Sequence, residues 1–101
     1  MIDNYNYMFK DKTILITGGT GSVGSALVKE LLKHNPAAIR VFDQDETKQF
    51  NMAHALNRDD VLRFFLGDVR DKERLYRAFS HVDIVFHCAA LKHVLSSEYN
   101  P

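Results

Sequence analysis

Residues 13–24 read TILITGGTGSVG, a short run of Ile, Leu and β-branched residues that leads straight into a loop with glycines at 18, 21 and 24. A run of that kind is a buried strand, and nothing bulky occupies the turn that follows it. Such a loop is either a tight turn of no chemical interest or one whose backbone must approach something large and negatively charged. Behind it, SVGSALVKELLKHN at 22–35 places Leu27, Val28, Leu31 and Leu32 on one helical face, and Pro36 marks the helix end. Strand, glycine loop and helix in that order are the strongest constraint in the chain.

The rest of the sequence keeps alternating. AIRVFD (38–43) reads as a second strand, and DETKQFNMAHALNRD (45–59) as a second helix with Phe50, Ala53 and Leu56 inward. Asp45 and Glu46 cap and charge its first turn. VLRFFLGD (61–68) is a third strand, DKERLYRAFS (71–80) a short helix with Leu75, Ala78 and Phe79 inward, and VDIVFHCAA (82–90) a fourth strand. LKHVLSSEYNP then looks like the opening of another helix. Near-continuous apolar strands separated by helices predict a parallel sheet wound by right-handed crossovers. The fold class expected is α/β, a Rossmann-type doubly wound parallel sheet truncated after about four strands, since the complete fold has two such halves in strand order 3-2-1-4-5-6. Residues 1–101 are read as the N-terminal part of one nucleotide-binding domain, with residues 1–10 a short N-terminal extension, and as a piece of a longer enzyme.

Composition narrows the class. The 101 residues are 46% hydrophobic, normal for a domain with one core. Thirteen basic and thirteen acidic residues cancel, so the charge balance points to neither nucleic acid nor an acidic membrane surface. The single cysteine, Cys88, excludes an internal disulfide framework and suits a reducing cytoplasm. No apolar run approaches the ~20 residues that span a bilayer, and MIDNYNYMFKDK lacks the regions of a signal peptide. A cytoplasmic protein without a membrane segment is expected.

The loop now has a context that favours chemistry. Gly18 permits the tight turn, Gly21 lets the backbone approach a pyrophosphate, and Gly24 lets the helix pack close to the sheet. Thr20, Ser22 and Val23 complete the cradle, and the helix N-terminus turns its free N–H groups toward the phosphates. Asp43 closes the second strand about 20 residues further on, where a carboxylate accepts hydrogen bonds from an adenosine ribose. GDVRD brings Asp68 and Val69 to the same carboxyl edge of the sheet. The histidines His34, His54 and His81 have no metal-ligand spacing, so no metal is expected.

TGGTGSVG, GDVRD and above all HCAALKHV followed by EYNP resemble the extended short-chain dehydrogenase/reductases. The nearest branch is the polysaccharide-biosynthesis, CapD-like one, which includes UDP-N-acetylglucosamine 4,6-dehydratases and related epimerases. The resemblance runs from about Phe9 onward and covers the N-terminal third of such an enzyme. It implies a tightly held NAD(P) that takes a hydride from sugar C4 and returns it later, a nucleotide-sugar substrate, and a homo-oligomeric full-length enzyme. It implies contact of Lys92 with cofactor or nucleotide sugar, whereas His93 is read as structural. Ala89 and Ala90 are small where ribose and adenine would pass, and the Cys88 backbone is expected to line the same pocket. The Cys88 side chain itself reads as a buried small hydrophobe and His87 as a packed histidine.

The family's catalytic Tyr-x-x-x-Lys lies beyond Pro101, and Tyr5, Tyr7, Tyr76 and Tyr99 lack a lysine four residues on. The chain by itself is therefore expected to carry no catalytic residue and to catalyse nothing. Many relatives show a Ser-Arg pair where this chain has Asp43 and Gln44, so NAD is the expected cofactor; Lys48, within reach of a 2′-phosphate, keeps NADP as the alternative. Two other readings compete: a non-catalytic dinucleotide-binding module, and an S-adenosylmethionine methyltransferase, which leaves AALKHV unexplained.

Overall fold

A computed structural model of the chain describes residues 7–89. Four strands, β1 (Thr13–Thr17), β2 (Ala38–Asp43), β3 (Leu62–Leu66) and β4 (Ile84–His87), form one sheet in the order β3-β2-β1-β4. Every neighbouring pair is parallel. Helices α1 (Ser22–Leu31), α2 (Glu46–Leu56) and α3 (Lys72–Phe79) make the crossovers, and a single 3-10 turn, Leu32–His34, follows α1. The expected α/β doubly wound sheet is the observed one.

The two faces of the sheet can be read residue by residue in TILIT. Ile14 and Ile16 join Val28 and Leu31 of α1, together with Ile39, Val41, Val61 and Leu62, in the larger core. Met52 and Leu56 of α2 pack against the same cluster. Leu15 points the other way, to Phe42 and to Ala78 of α3, with Leu75 and Val82 around them. Side chains alternate across a strand, so three consecutive buried apolar residues such as those at 14–16 are stable only if helices cover both faces.

Register decides where a ligand site can form. Thr17 pairs with Phe42 on one side and His87 on the other, while Asp43 pairs with Leu66. The carboxyl ends of all four strands therefore share one edge. The chain runs from β1 outward through β2 and β3, then returns to β1's other side as β4. That reversal is the switch point at which open α/β sheets bind their ligands.

Several local expectations are corrected. Phe50 does not face inward: it is 63% exposed, and its ring lies edge-on to His54 at 4.4 Å. The inward position belongs to Gln49, whose Nε2 donates to the carbonyls of Asp43 at 3.2 Å and Phe65 at 2.9 Å. A buried amide that satisfies two strand-end carbonyls outcompetes a phenyl ring that would leave them unpaired. Phe79 is likewise 39% exposed, while Leu75 and Ala78 keep the inward face. The end of α3 is covered from the sheet by Arg40, which donates to the carbonyls of Ala78 at 2.9 Å and Ser80 at 2.7 Å.

The first two helices are shorter than their periodicity suggests, because Asn35 and Asn57 turn left-handed at φ 53° and 49°. The fourth strand is also shorter, ending at His87, with Cys88 and Ala89 already helical. It is an outer strand with alternating exposure rather than a run buried on both faces, and Val85 is 39% exposed. Asp83 ties its start to β1 by accepting the Thr13 N–H at 2.8 Å. At the N-terminus, Phe9 packs against the main core, with its ring 5.8 Å from His34 and 6.3 Å from Phe86. The N-terminal stretch thus contributes to the domain from Phe9 at the latest.

Candidate functional site

The loop between β1 and α1 is built from four glycines that do different things. Gly18 sits at φ +69°, donates its N–H to the Phe42 carbonyl at 2.8 Å and accepts the Gly21 N–H at 3.1 Å. A Cβ there would lie 2.7 Å from the Ala89 nitrogen. At Gly24 a Cβ would overlap the Gly18 carbonyl oxygen and come within 2.7 Å of Gly19 Cα, so α1 can approach the loop only without a side chain. Gly19, which the spacing of the motif did not single out, is blocked too: its Cβ would meet Val41 Cγ1 at 2.5 Å.

Gly21 differs from all three. Its φ of −71° and ψ of 176° suit any residue, and the nearest atom to an added Cβ is the Gly18 oxygen at 3.4 Å, an ordinary contact. Packing within the protein does not require a glycine at this position. The space that its missing side chain leaves belongs to the groove.

Helix α1 starts at Gly21 with no side-chain cap and no acid in its first turn. The other two helices are closed: Asp45 accepts the Lys48 N–H beside Glu46, and Asp71 accepts the Arg74 N–H beside Glu73. A helix leaves its first N–H groups without intrahelical partners, and they carry the positive end of its dipole. Among the described residues no side chain caps α1 and no acid stands in its first turn, which leaves that end open to an external anion.

Across the groove, β2 ends in Asp43. Its Oδ2 accepts the Thr20 N–H at 3.1 Å and its Oδ1 accepts the Asp45 N–H at 3.0 Å. Each carboxylate oxygen has a second lone pair, so acceptor capacity toward the groove remains. Asp68 is held differently: Arg70 grips it with Nη2 at 2.7 Å from Oδ2 and Nε at 3.1 Å from Oδ1. Burial pushes the Cys88 thiol above its ordinary value, so it is a neutral group and not a nucleophile near pH 7. His87 is exposed on the outer strand rather than packed, with Nδ1 bonded to the buried Thr17 hydroxyl at 2.6 Å.

These elements enclose an open groove of about 900 Å³, of the size that holds small-molecule ligands. Gly18, Thr20, Gly21, Ser22, Val23, Gly24, Asp43, Gln44, Lys48, Asp68, Val69, Cys88 and Ala89 all line it. Ala90 and Lys92 lie outside the described residues. Phe42, Asp45, Glu46 and Gly67 also line the groove without having been singled out as binding residues. Their signal was positional: each neighbours a strand end that had been. The groove has two chemistries, an anion-attracting end at α1 and a hydroxyl-accepting end at Asp43. A dinucleotide would present partners for both, and the open Cβ direction of Gly21 leaves room in the groove for its pyrophosphate.

A glycine loop at the switch point of a parallel sheet, facing an acid at the end of the next strand, defines a Rossmann-type α/β fold. Residues 14–101 match the family described as polysaccharide biosynthesis protein, and the chain belongs to that family. It is 57% identical over 101 residues to an uncharacterized membrane protein of Methanocaldococcus jannaschii, covering all of this chain and 30% of that one. It is 54% identical over 95 residues to the inverting UDP-N-acetylglucosamine 4,6-dehydratase of Campylobacter jejuni, covering 93% of this chain and 28% of the enzyme. Among solved structures, it matches an epimerase of Methanothermobacter thermautotrophicus with TM-score 0.70 and 31% identity, over 86% of this chain and 25% of that one. The Bordetella bronchiseptica enzyme WbmF, solved with NAD+, matches with TM-score 0.63 and 25% identity over 79% of this chain and 23% of that one. The chain thus spans between a quarter and a third of the curated relatives' length. Among the described residues, no helix is long and apolar enough to cross a membrane.

Proposed function

We propose that the chain is the cofactor-binding part of an NAD-dependent nucleotide-sugar 4,6-dehydratase or epimerase, acting in the cytoplasm on a UDP-hexosamine or UDP-hexose. The observation that carries this reading is the Gly21 cradle at the uncapped end of α1, with Asp43 facing it. The names of the relatives supply the substrate class: UDP-N-acetylglucosamine 4,6-dehydratase in Campylobacter jejuni and UDP-glucose 4-epimerase in Rickettsia prowazekii.

In this reading the N–H groups at the start of α1 and the bare Gly21 backbone hold the pyrophosphate. Asp43 accepts from the adenosine ribose, and Val69, Cys88 and Ala89 flank the adenosine. When bound, NAD supplies the acceptor for a hydride from the sugar. The chain's own residues bind and orient it, and Lys92 contacts the substrate side. Proton transfer falls to a tyrosine–lysine pair outside these residues, so this chain alone converts no substrate.

The direct test incubates the full-length protein with UDP-N-acetylglucosamine and with UDP-glucose and follows products by mass spectrometry and NMR. Loss of one water with a new 4-keto group, or inversion at C4, is the expected result. A protein that binds NAD yet transforms neither sugar would instead be a dinucleotide-binding module.

A further inference from the structure

We infer that Asp43 is a positioning residue for the phosphate-binding loop, in addition to the ribose-contacting role proposed above, on which this inference rests. The loop is anchored at both ends: Gly18 donates to the Phe42 carbonyl at 2.8 Å, and Gly24 is wedged against the Gly18 backbone. Its middle has less support. The Gly21 N–H reaches back to Gly18 at 3.1 Å, and the Thr20 N–H crosses to Asp43 Oδ2 at 3.1 Å. Among the hydrogen bonds of the described residues, this is the one in which a side chain from another element takes a backbone donor of residues 18–21.

The carboxylate can do this because it is itself fixed. Its other oxygen accepts the Asp45 N–H at 3.0 Å, at the turn into α2, and Gln49 holds the Asp43 carbonyl at 3.2 Å. Asp43 is half-buried, so its bonds to two amides are charge-assisted and partly shielded from water. The Thr20 N–H is consumed by the protein, which fixes the peptide plane just before Gly21, the residue whose backbone must meet the phosphates. One carboxylate thereby sets both ends of the groove. A cofactor switch that replaces Asp43 with a smaller residue to admit a 2′-phosphate also releases the loop that grips the pyrophosphate.

The test separates the two roles with a ligand that lacks one of them. NAD and its 2′,3′-dideoxyadenosine analogue are titrated into the full-length protein and into Asp43→Ala, well below the melting temperature of each. A residue acting only through the ribose hydroxyls gives the same affinity for the dideoxy analogue with and without the carboxylate, as does one that serves only global stability. Loop positioning predicts an analogue affinity at least five-fold weaker in Asp43→Ala, and faster hydrogen exchange at Thr20 in the free protein. If Asp43→Ala does not fold, Asp43→Asn replaces it, because its amide can accept only one of the two N–H groups. Equal analogue affinities with unchanged Thr20 exchange overturn the inference. Failure of the unchanged protein to bind NAD at all overturns the dinucleotide reading, and this inference with it.

Discussion

Gly21→Val is expected to fold and melt like the unchanged protein while binding NAD at least a hundred-fold more weakly, a loss of about 2.8 kcal/mol at 1.4 kcal/mol per tenfold. The position tolerates a side chain as far as the protein is concerned: its backbone is extended and a Cβ meets only the Gly18 oxygen at 3.4 Å. The valine methyl groups extend from that Cβ into the groove, at the mouth of an uncapped helix. Binding a pyrophosphate there would require removing them or moving the anion off the helix axis, where the N–H groups no longer converge. Isothermal titration of the full-length protein alongside a thermal melt reads both halves of the prediction. Unchanged affinity in a folded variant would sink the phosphate-cradle reading.

Three residues away, Gly24→Ala should do the reverse and damage the fold. Replacing glycine with alanine inside a helix ordinarily stabilises by ~1 kcal/mol. Here the new methyl would overlap the Gly18 carbonyl oxygen and press on Gly19 Cα at 2.7 Å, both backbone atoms of a loop anchored at Phe42. Neither can yield as a flexible side chain would, so α1 must shift away from the sheet that Val28 and Leu31 cover. Overpacking of this kind costs about 3 kcal/mol. Urea unfolding should show the midpoint falling, and an alanine that stabilises would contradict the close helix–loop packing.

The pair of glycines also shows how far the sequence could be read. The spacing at 18, 21 and 24 identified the loop, and strand–loop–helix order placed it at the sheet's carboxyl edge, as observed. β1 and β2 have the expected bounds because their hydrophobic runs end at loop residues. What stayed hidden depended on tertiary geometry. Gly19 looks like a spare glycine until Val41 is seen beneath it. Gln49 looks solvent-facing beside Phe50, since no periodicity rule foresees two strand-end carbonyls that need a donor. The helix ends lie earlier than the sequence suggests because Leu32 extends the apolar face of α1 into a 3-10 turn that left-handed Asn35 ends, and left-handed Asn57 stops α2 at Leu56 with only polar residues after it as far as Asp59. In the groove, the sequence marks Asp43 as an expected ribose contact, but its bonds to Thr20 and Asp45 span a loop and a turn that no linear pattern relates.

The measurement that bears most directly on the central claim is an equilibrium titration of the full-length protein with NAD and NADP side by side. Asp43 stands where the adenosine ribose is proposed to lie, Gln44 offers no cation, and Lys48 is an exposed point charge in the first turn of α2. A carboxylate accepts from a free 2′-hydroxyl and repels a 2′-phosphate, and a mobile ammonium offsets that repulsion less well than an arginine fork would. The expected result is saturable binding of NAD, clearly tighter than NADP, with the preference narrowing in Asp43→Ser, Gln44→Arg. Tighter binding of NADP to the unchanged protein, or no binding of either, would contradict the assignment.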